Sequence, residues 1–491
     1  MMFHIKKMAS VSPQTEAEME DVEEMEDVPT DASEQTTQET TEGASPAILT
    51  INADEIEEES PPLTYIDFLP QCFGVSIEGA EPKYAEFQSL VEQANQWLRG
   101  MPKFNAVKCE TVDHKLNMPD YSLDPDQCLQ HFSSHGKNIY MKGLRLWLMP
   151  KTDTSVPTQQ LAYITVLPQH TSGNLAAGLS NVKPAAMRVN PEQIFASFDT
   201  LPVTVEKLNH HLAQKPLPGK ILSVETIALK ALESDRDEEV NTEKTLWSEV
   251  GKANRVFLFA TRIFYVVGQP AFDRVAYYDQ VPEFYQSPDG MGIRVRFAPF
   301  SRTVAQAALW LKAQHNTRVV NFQSVTLKTE RQGGTGTFKV DPKSAGFTET
   351  QALTESRYVK ILRVFYIKDQ KPDAPALYSS TQLTTRLFVP TKTVAYSRSF
   401  ETFSKNMQRV ITWLNATGTP VLGMETVRYN VTPESEAGVN DDRVDTVINS
   451  HSGQYNLSCV RLYFASEFKE PPPEVMGETA EDAWGWGCVV S

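Results

Sequence analysis

Apolar residues fall at Phe87, Leu90, Val91, Ala94, Trp97 and Leu98, a spacing that places them on one face of an α-helix. After a polar turn, residues 106–112 (AVKCETV) are rich in β-branched side chains and predict a strand. The same layout returns three times. Phe403, Met407, Val410, Trp413 and Leu414 predict a helix ahead of a strand at 421–427 (VLGMETV). Phe300, Val304, Ala307, Trp310 and Leu311 predict another ahead of 319–325 (VVNFQSV). The second copy diverges most: Val205, Leu208 and Leu212 keep the stripe, His211 stands where the others carry Trp, and 221–227 (ILSVETI) is the strand. From Trp97 through His211 and Trp310 to Trp413 the steps are 114, 99 and 103 residues, a constancy that argues for four homologous units. Tryptophans recurring at one register are expected in the core between helix and sheet.

Each unit also holds a second strand built around one arginine, at 143–147 (GLRLW), 261–265 (TRIFY), 362–366 (LRVFY) and 460–464 (VRLYF). The loop before it is polar and varies in length, and further strand-like segments follow it, as at 161–166 and 385–389. The fold class expected from this order is α+β: four tandem units of about 100 residues, each a helix packed on a small, mainly antiparallel sheet. The expected units span 63–185, 186–292, 293–395 and 396–468, between a disordered acidic tail at 1–62 and a flexible arm at 469–491.

Charge sharpens that division. The chain of 491 residues has a formal net charge of −16, but 17 of its 62 acids and two of its 46 bases lie in residues 1–60. The remainder, with 45 acids against 44 bases, is near neutral. A body without concentrated basic charge has little to exchange for the counterions of a phosphate backbone, which argues against general nucleic-acid binding. Five scattered cysteines do not form a secreted disulfide framework, and no stretch reads as a signal peptide or a membrane span. A cytoplasmic protein is expected.

The two strands of each unit carry a recurring pair: Glu110 with Arg145, Glu225 with Arg262, Gln323 with Arg363, and Glu425 with Arg461. Apolar neighbours on both sides of each arginine predict a buried guanidinium that needs an acceptor, so the pairs are expected to be structural. The functional alternative is an anion site repeated four times. Cys128, His131 and His135 make a Cys-x2-His-x3-His spacing able to hold a metal, although the other copies contain nothing comparable, and a polar loop with incidental histidines competes with it. Gly333-Gly-Thr-Gly336 lacks the Lys-Ser/Thr of a phosphate loop, and no nucleophile elbow or paired-histidine zinc motif occurs. No catalytic constellation and no cofactor are expected.

Cys488-Val-Val-Ser491 resembles the C-a-a-X box of prenylated proteins, and a final Ser favours farnesyl. The resemblance implies a thioether-linked lipid on Cys488, loss of the last three residues and methylation of the new carboxylate. A single prenyl chain anchors reversibly, and the acidic stem of Glu467, Glu470, Glu474, Glu478, Glu481 and Asp482 against Lys469 gives no help on anionic lipid. The expectation is a non-enzymatic, farnesylated scaffold or adaptor, peripheral on the cytosolic face of a membrane and holding a protein partner. The competing expectation is an enzyme or small-ligand carrier with its site between units.

Overall fold

Each unit supplies its elements in one order: an outer strand, a helix, an inner strand, a four-residue strand and a middle strand. In unit 1 these are β1 (Thr64–Phe68), α1 (Phe87–Gly100), β2 (Phe104–Leu116), β3 (Leu129–Phe132) and β4 (Asn138–Pro150). Unit 2 has β5 (Leu161–Val166), α2 (Leu201–Gln214), β6 (Gly219–Lys230), β7 (Leu246–Glu249) and β8 (Arg255–Val267). Unit 3 has β9 (Arg274–Gln280), α3 (Phe300–Lys312), β10 (Thr317–Lys328), β11 (Gly346–Glu349) and β12 (Ser356–Lys368). Unit 4 has β13 (Thr384–Phe388), α4 (Phe403–Thr417), β14 (Val421–Val431), β15 (Asp445–Ile448) and β16 (Gln454–Phe464). The computed structural model describes residues 61–476, except 75–81, 119, 134–136, 154, 173–193, 232–239, 250–254, 290–291, 332–337, 350–355, 369–377, 379, 395–396, 432–438 and 449–453. The expectations for the acidic tail up to residue 60, and for the arm beyond 476 with Cys488, lie outside the described residues.

In each sheet the middle strand pairs antiparallel with the inner strand along its length and with the outer strand along half of it. The other half of its outer edge is filled by the four-residue strand of the following unit. Thus β7 pairs with β4, β11 with β8, and β15 with β12. The series closes on itself, because β3 of unit 1 pairs with β16 of unit 4.

This arrangement corrects the expected α+β class. Strand accounts for 47 % and helix for 19 % of the described residues, so the protein is mainly β: four small antiparallel sheets arranged as a four-bladed propeller. The physical reason is that no unit covers a sheet of its own. Each helix fills the wedge between two blades, as α1 does when Phe87, Leu90, Val91, Ala94 and Leu98 pack on blade 1 and on Phe264 and Leu222 of blade 2. The segments expected to finish units 1 and 3, at 161–166 and 385–389, hydrogen-bond instead into blades 2 and 4.

One irregularity recurs in every inner strand. The ladder skips Val107, Leu222, Val320 and Leu422, each three residues before Glu110, Glu225, Gln323 or Glu425. Such a bulge turns one side chain out of alternation. Here the freed residue packs into the cluster of the preceding blade, Val107 against blade 4 and Leu222 against blade 1. Of the aromatic positions that revealed the repeat, Trp413 is fully buried, while Trp97 and Trp310 are half-buried and stack on Phe104 and Tyr278. Helix α4 ends at Gly418, whose φ of 62° is the left-handed conformation that lets its N–H close on Leu414 O.

Candidate functional site

The inner strands bring the recurring Glu/Gln-Thr/Ser dipeptides around one axis, where they line a cavity of about 170 Å³. Each dipeptide is a hook with two sides. Its acid or amide reaches back to the preceding blade, and its hydroxyl residue receives the hook of the following one. Glu110 accepts from Thr426 N and Thr426 Oγ1, both at 3.0 Å. Glu225 accepts from the backbone N–H and hydroxyl of Thr111. Gln323 accepts from Thr226 N at 2.8 Å and donates to Thr226 O at 2.8 Å. Glu425 accepts from Ser324 N at 2.6 Å and Ser324 Oγ at 2.7 Å.

The arginines form a second layer behind these hooks. Each of the four pairs stands directly opposite in register. Nη1 of Arg145, Arg262, Arg363 and Arg461 donates at 2.8–2.9 Å to the hydroxyl of Thr426, Thr111, Thr226 and Ser324 respectively. Guanidinium and carboxylate are thereby joined through the neighbouring blade's hydroxyl, and only Arg461 and Glu425 also meet as an ion pair, at 3.6 Å, among the described residues. Arg145, Arg262 and Arg461 stack on Phe403, Phe87 and Phe300, the first residues of the preceding unit's helix, each at 3.8 Å from the ring centre.

The remaining edge of each guanidinium differs. Asp67 and Asp279 on the outer strands take Arg145 and Arg363 as two-bond pairs at 2.6–2.8 Å. Arg262 has Thr165 and Thr242 O instead, and Arg461 has Tyr429 OH, with its Nε left without a partner. Burial works against the charged form of Arg145, but Asp67, joined by Tyr65 and Glu110, outweighs it, so its pKa is raised. Burial dominates at Arg262, where Glu225, Tyr163 and Glu243 do not offset it, and lowers its pKa. Burial also raises the carboxyl of Glu225 against the pull of Arg262 and Thr111.

A motif not singled out from the sequence completes each joint. Asp124-Pro-Asp126, Asn241-Thr-Glu243, Asp341-Pro-Lys343 and Asn440-Asp-Asp442 precede the four-residue strands, and in each the first side chain accepts from the third N–H. The third residue then caps the preceding unit's helix. Asp126 takes Phe403 N and Ser404 N, Glu243 takes Phe87 N and Gln88 N, and Asp442 takes Phe300 N and Ser301 N. Lys343 offers its carbonyl to Leu201 N. An acid is dispensable there because Pro202 has no second N–H to satisfy. The signal was available as four Asx turns at one place in the repeat.

The candidate metal residues do not gather. Cys128 is buried in the core near Cys459, and burial raises its thiol pKa, whereas His131 is exposed and lies against Tyr455 with ring centres 4.6 Å apart. His135 lies outside the described residues. Among the described residues no group of three or more His, Cys, Asp or Glu side chains is placed to hold a metal ion, and no helix is long and apolar enough to cross a membrane. Comparison with protein-family models, with curated proteins and with solved structures finds no match.

Proposed function

We propose that this protein is a non-enzymatic interaction scaffold held reversibly at the cytosolic face of a membrane by a farnesyl group on Cys488. The observation that carries the reading is Cys488-Val-Val-Ser491, a cysteine followed by two aliphatic residues and a serine. The ring supports a scaffold over a catalyst, since its repeated carboxylates each accept hydrogen bonds from the preceding blade and are spent on holding blades together. A closed ring of four similar joints is a rigid platform whose rim loops are free to vary in length, which suits partner binding.

The axial cavity favours a second reading, an enzyme or small-ligand carrier with a site between units. Its volume of about 170 Å³ is below the ~300 Å³ at which ordinary ligand pockets begin. Its carboxylates are balanced by the four arginines directly behind them.

Intact-mass analysis and membrane fractionation of the protein from eukaryotic cells test the first reading. Wild type is expected to carry a farnesyl increment and to divide between membrane and cytosol, and Cys488→Ser to be wholly cytosolic and folded. A wild-type mass without a prenyl increment, or equal membrane fractions for both proteins, contradicts it.

A further inference from the structure

Blade 1 is a guide to what blade 3 lacks. Lys142 lies on β4 three residues before Arg145, and its Nζ donates at 2.9 Å to Asp113, which stands opposite it in register. Lys360 holds the same place on β12, three residues before Arg363, but the residue opposite it is Thr326. Lys360 is only 5 % exposed; its backbone N–H donates to Val444 O, but its ammonium makes no hydrogen bond or ion pair among the described residues, and Nζ lies 4.3 Å from the centre of the Tyr429 ring.

The groups facing Lys360 from blade 4 do not supply the missing charge. Arg461, with its unpartnered Nε, and Arg443 are both cations. Glu425 reaches the same seam but is already taken by Ser324 N, Ser324 Oγ and Tyr463 OH. Burial raises the Cys459 thiol to about 12, so it stays neutral. A lysine ammonium carries three donors, and with no protein acceptor among the described residues these stay open to an anion or to water. Burial first and Arg461 next pull the Lys360 amine down to about 8, the response of a place short of negative charge.

We propose that a small monovalent anion sits against Lys360 in the seam between blades 3 and 4, in the place that the Asp113 carboxylate fills in blade 1. Thr326 is exposed, so solvent and its ions reach this position, and its hydroxyl is a further donor. A halide and the carboxylate of a small acid offer the same chemistry, a compact single charge that accepts hydrogen bonds.

Thermal unfolding of the full chain at fixed ionic strength tests this, with sodium gluconate replaced stepwise by sodium chloride or by sodium acetate. The Tm of wild type is expected to rise saturably with chloride or with acetate; a response to chloride alone assigns a halide, and to acetate alone a carboxylate. Lys360→Met is expected to lose the response. Thr326→Asp, which supplies the carboxylate from within, is expected to exceed wild type in gluconate and to ignore the added anion, and it carries the comparison should Lys360→Met fail to fold. A wild type indifferent to both anions, or a Thr326→Asp variant that responds as wild type does, overturns the proposal.

Discussion

The seam between blades 4 and 1 and the seam between blades 2 and 3 are built from the same devices at different strength. At the first, the hook is the charged Glu110, Arg145 stacks on Phe403, and Asp126 caps α4 through both its carbonyl and its carboxylate. At the second, the hook is the neutral Gln323, the capped helix begins with Leu201 in place of Phe, and Lys343 supplies a carbonyl. The first joins residues 316 apart in the chain and the second residues 97 apart. Closing the longer loop costs about 1 kcal/mol more in chain entropy. Charged acceptors make the stronger hydrogen bonds. The seam that closes the ring therefore carries the stronger form of each device, while the geometry of the joint is held constant.

The largest effect should come from the arginines. Arg145→Met leaves Asp67 buried without its two-bond donor and is expected to cost about 3–5 kcal/mol in urea denaturation. Arg461→Met strands no aspartate and gives up only a looser ion pair, at 3.6 Å to Glu425, so it should cost less, about 1–3 kcal/mol, because Glu425 keeps Ser324 and Tyr463 as donors. Equal losses would remove the distinction between the two.

Next in size is a pH effect at the closing seam. Burial is the main cause that holds His114 down to about 4, against an ordinary value near 6.5. The unfolded chain thus binds the proton first, so stability from the neutral ring is complete above about pH 6.5 and is lost as pH falls towards 4. The loss is on the order of 3 kcal/mol. Leu229 and Leu327 occupy the matching places in blades 2 and 3. His114→Leu should therefore flatten the stability profile over this window relative to wild type, and parallel profiles for the two proteins would contradict the assignment.

The smallest contrast lies in the caps. Asp126→Ala removes a side chain that binds Ser404 N and Ser404 Oγ and should cost about 1–2 kcal/mol. Lys343→Ala leaves the capping carbonyl in place and should stay within about 0.5 kcal/mol of wild type. A large loss at Lys343 would mean that its side chain acts in the joint.

Much of one unit was legible in the sequence, and little of how units meet. The helical stripe from Phe87 to Leu98 and the Glu-Thr-Val strands were visible because periodicity and β-branching are local signals. The destination of β3 was not, because Leu129–Phe132 is four residues long and its partner, β16, lies more than 300 residues away. The charged pairs were legible as residues that face each other, since Glu110 and Arg145 share a register. The sequence could not say that Thr111, next to Glu110, serves a different blade from the one Glu110 serves. Asp67 escaped notice because a strand of five residues separated from its partner by a helix has no signature of its own.

The central claim is that the four units close into one ring through these hooks, and a double-mutant cycle on Glu110→Ala and Thr426→Ala tests it most directly. The two residues touch only if blade 4 meets blade 1. A coupling energy of at least about 1 kcal/mol in equilibrium unfolding is the predicted result. Additivity within about 0.3 kcal/mol would show that the residues are not neighbours, and that the ring is not closed there.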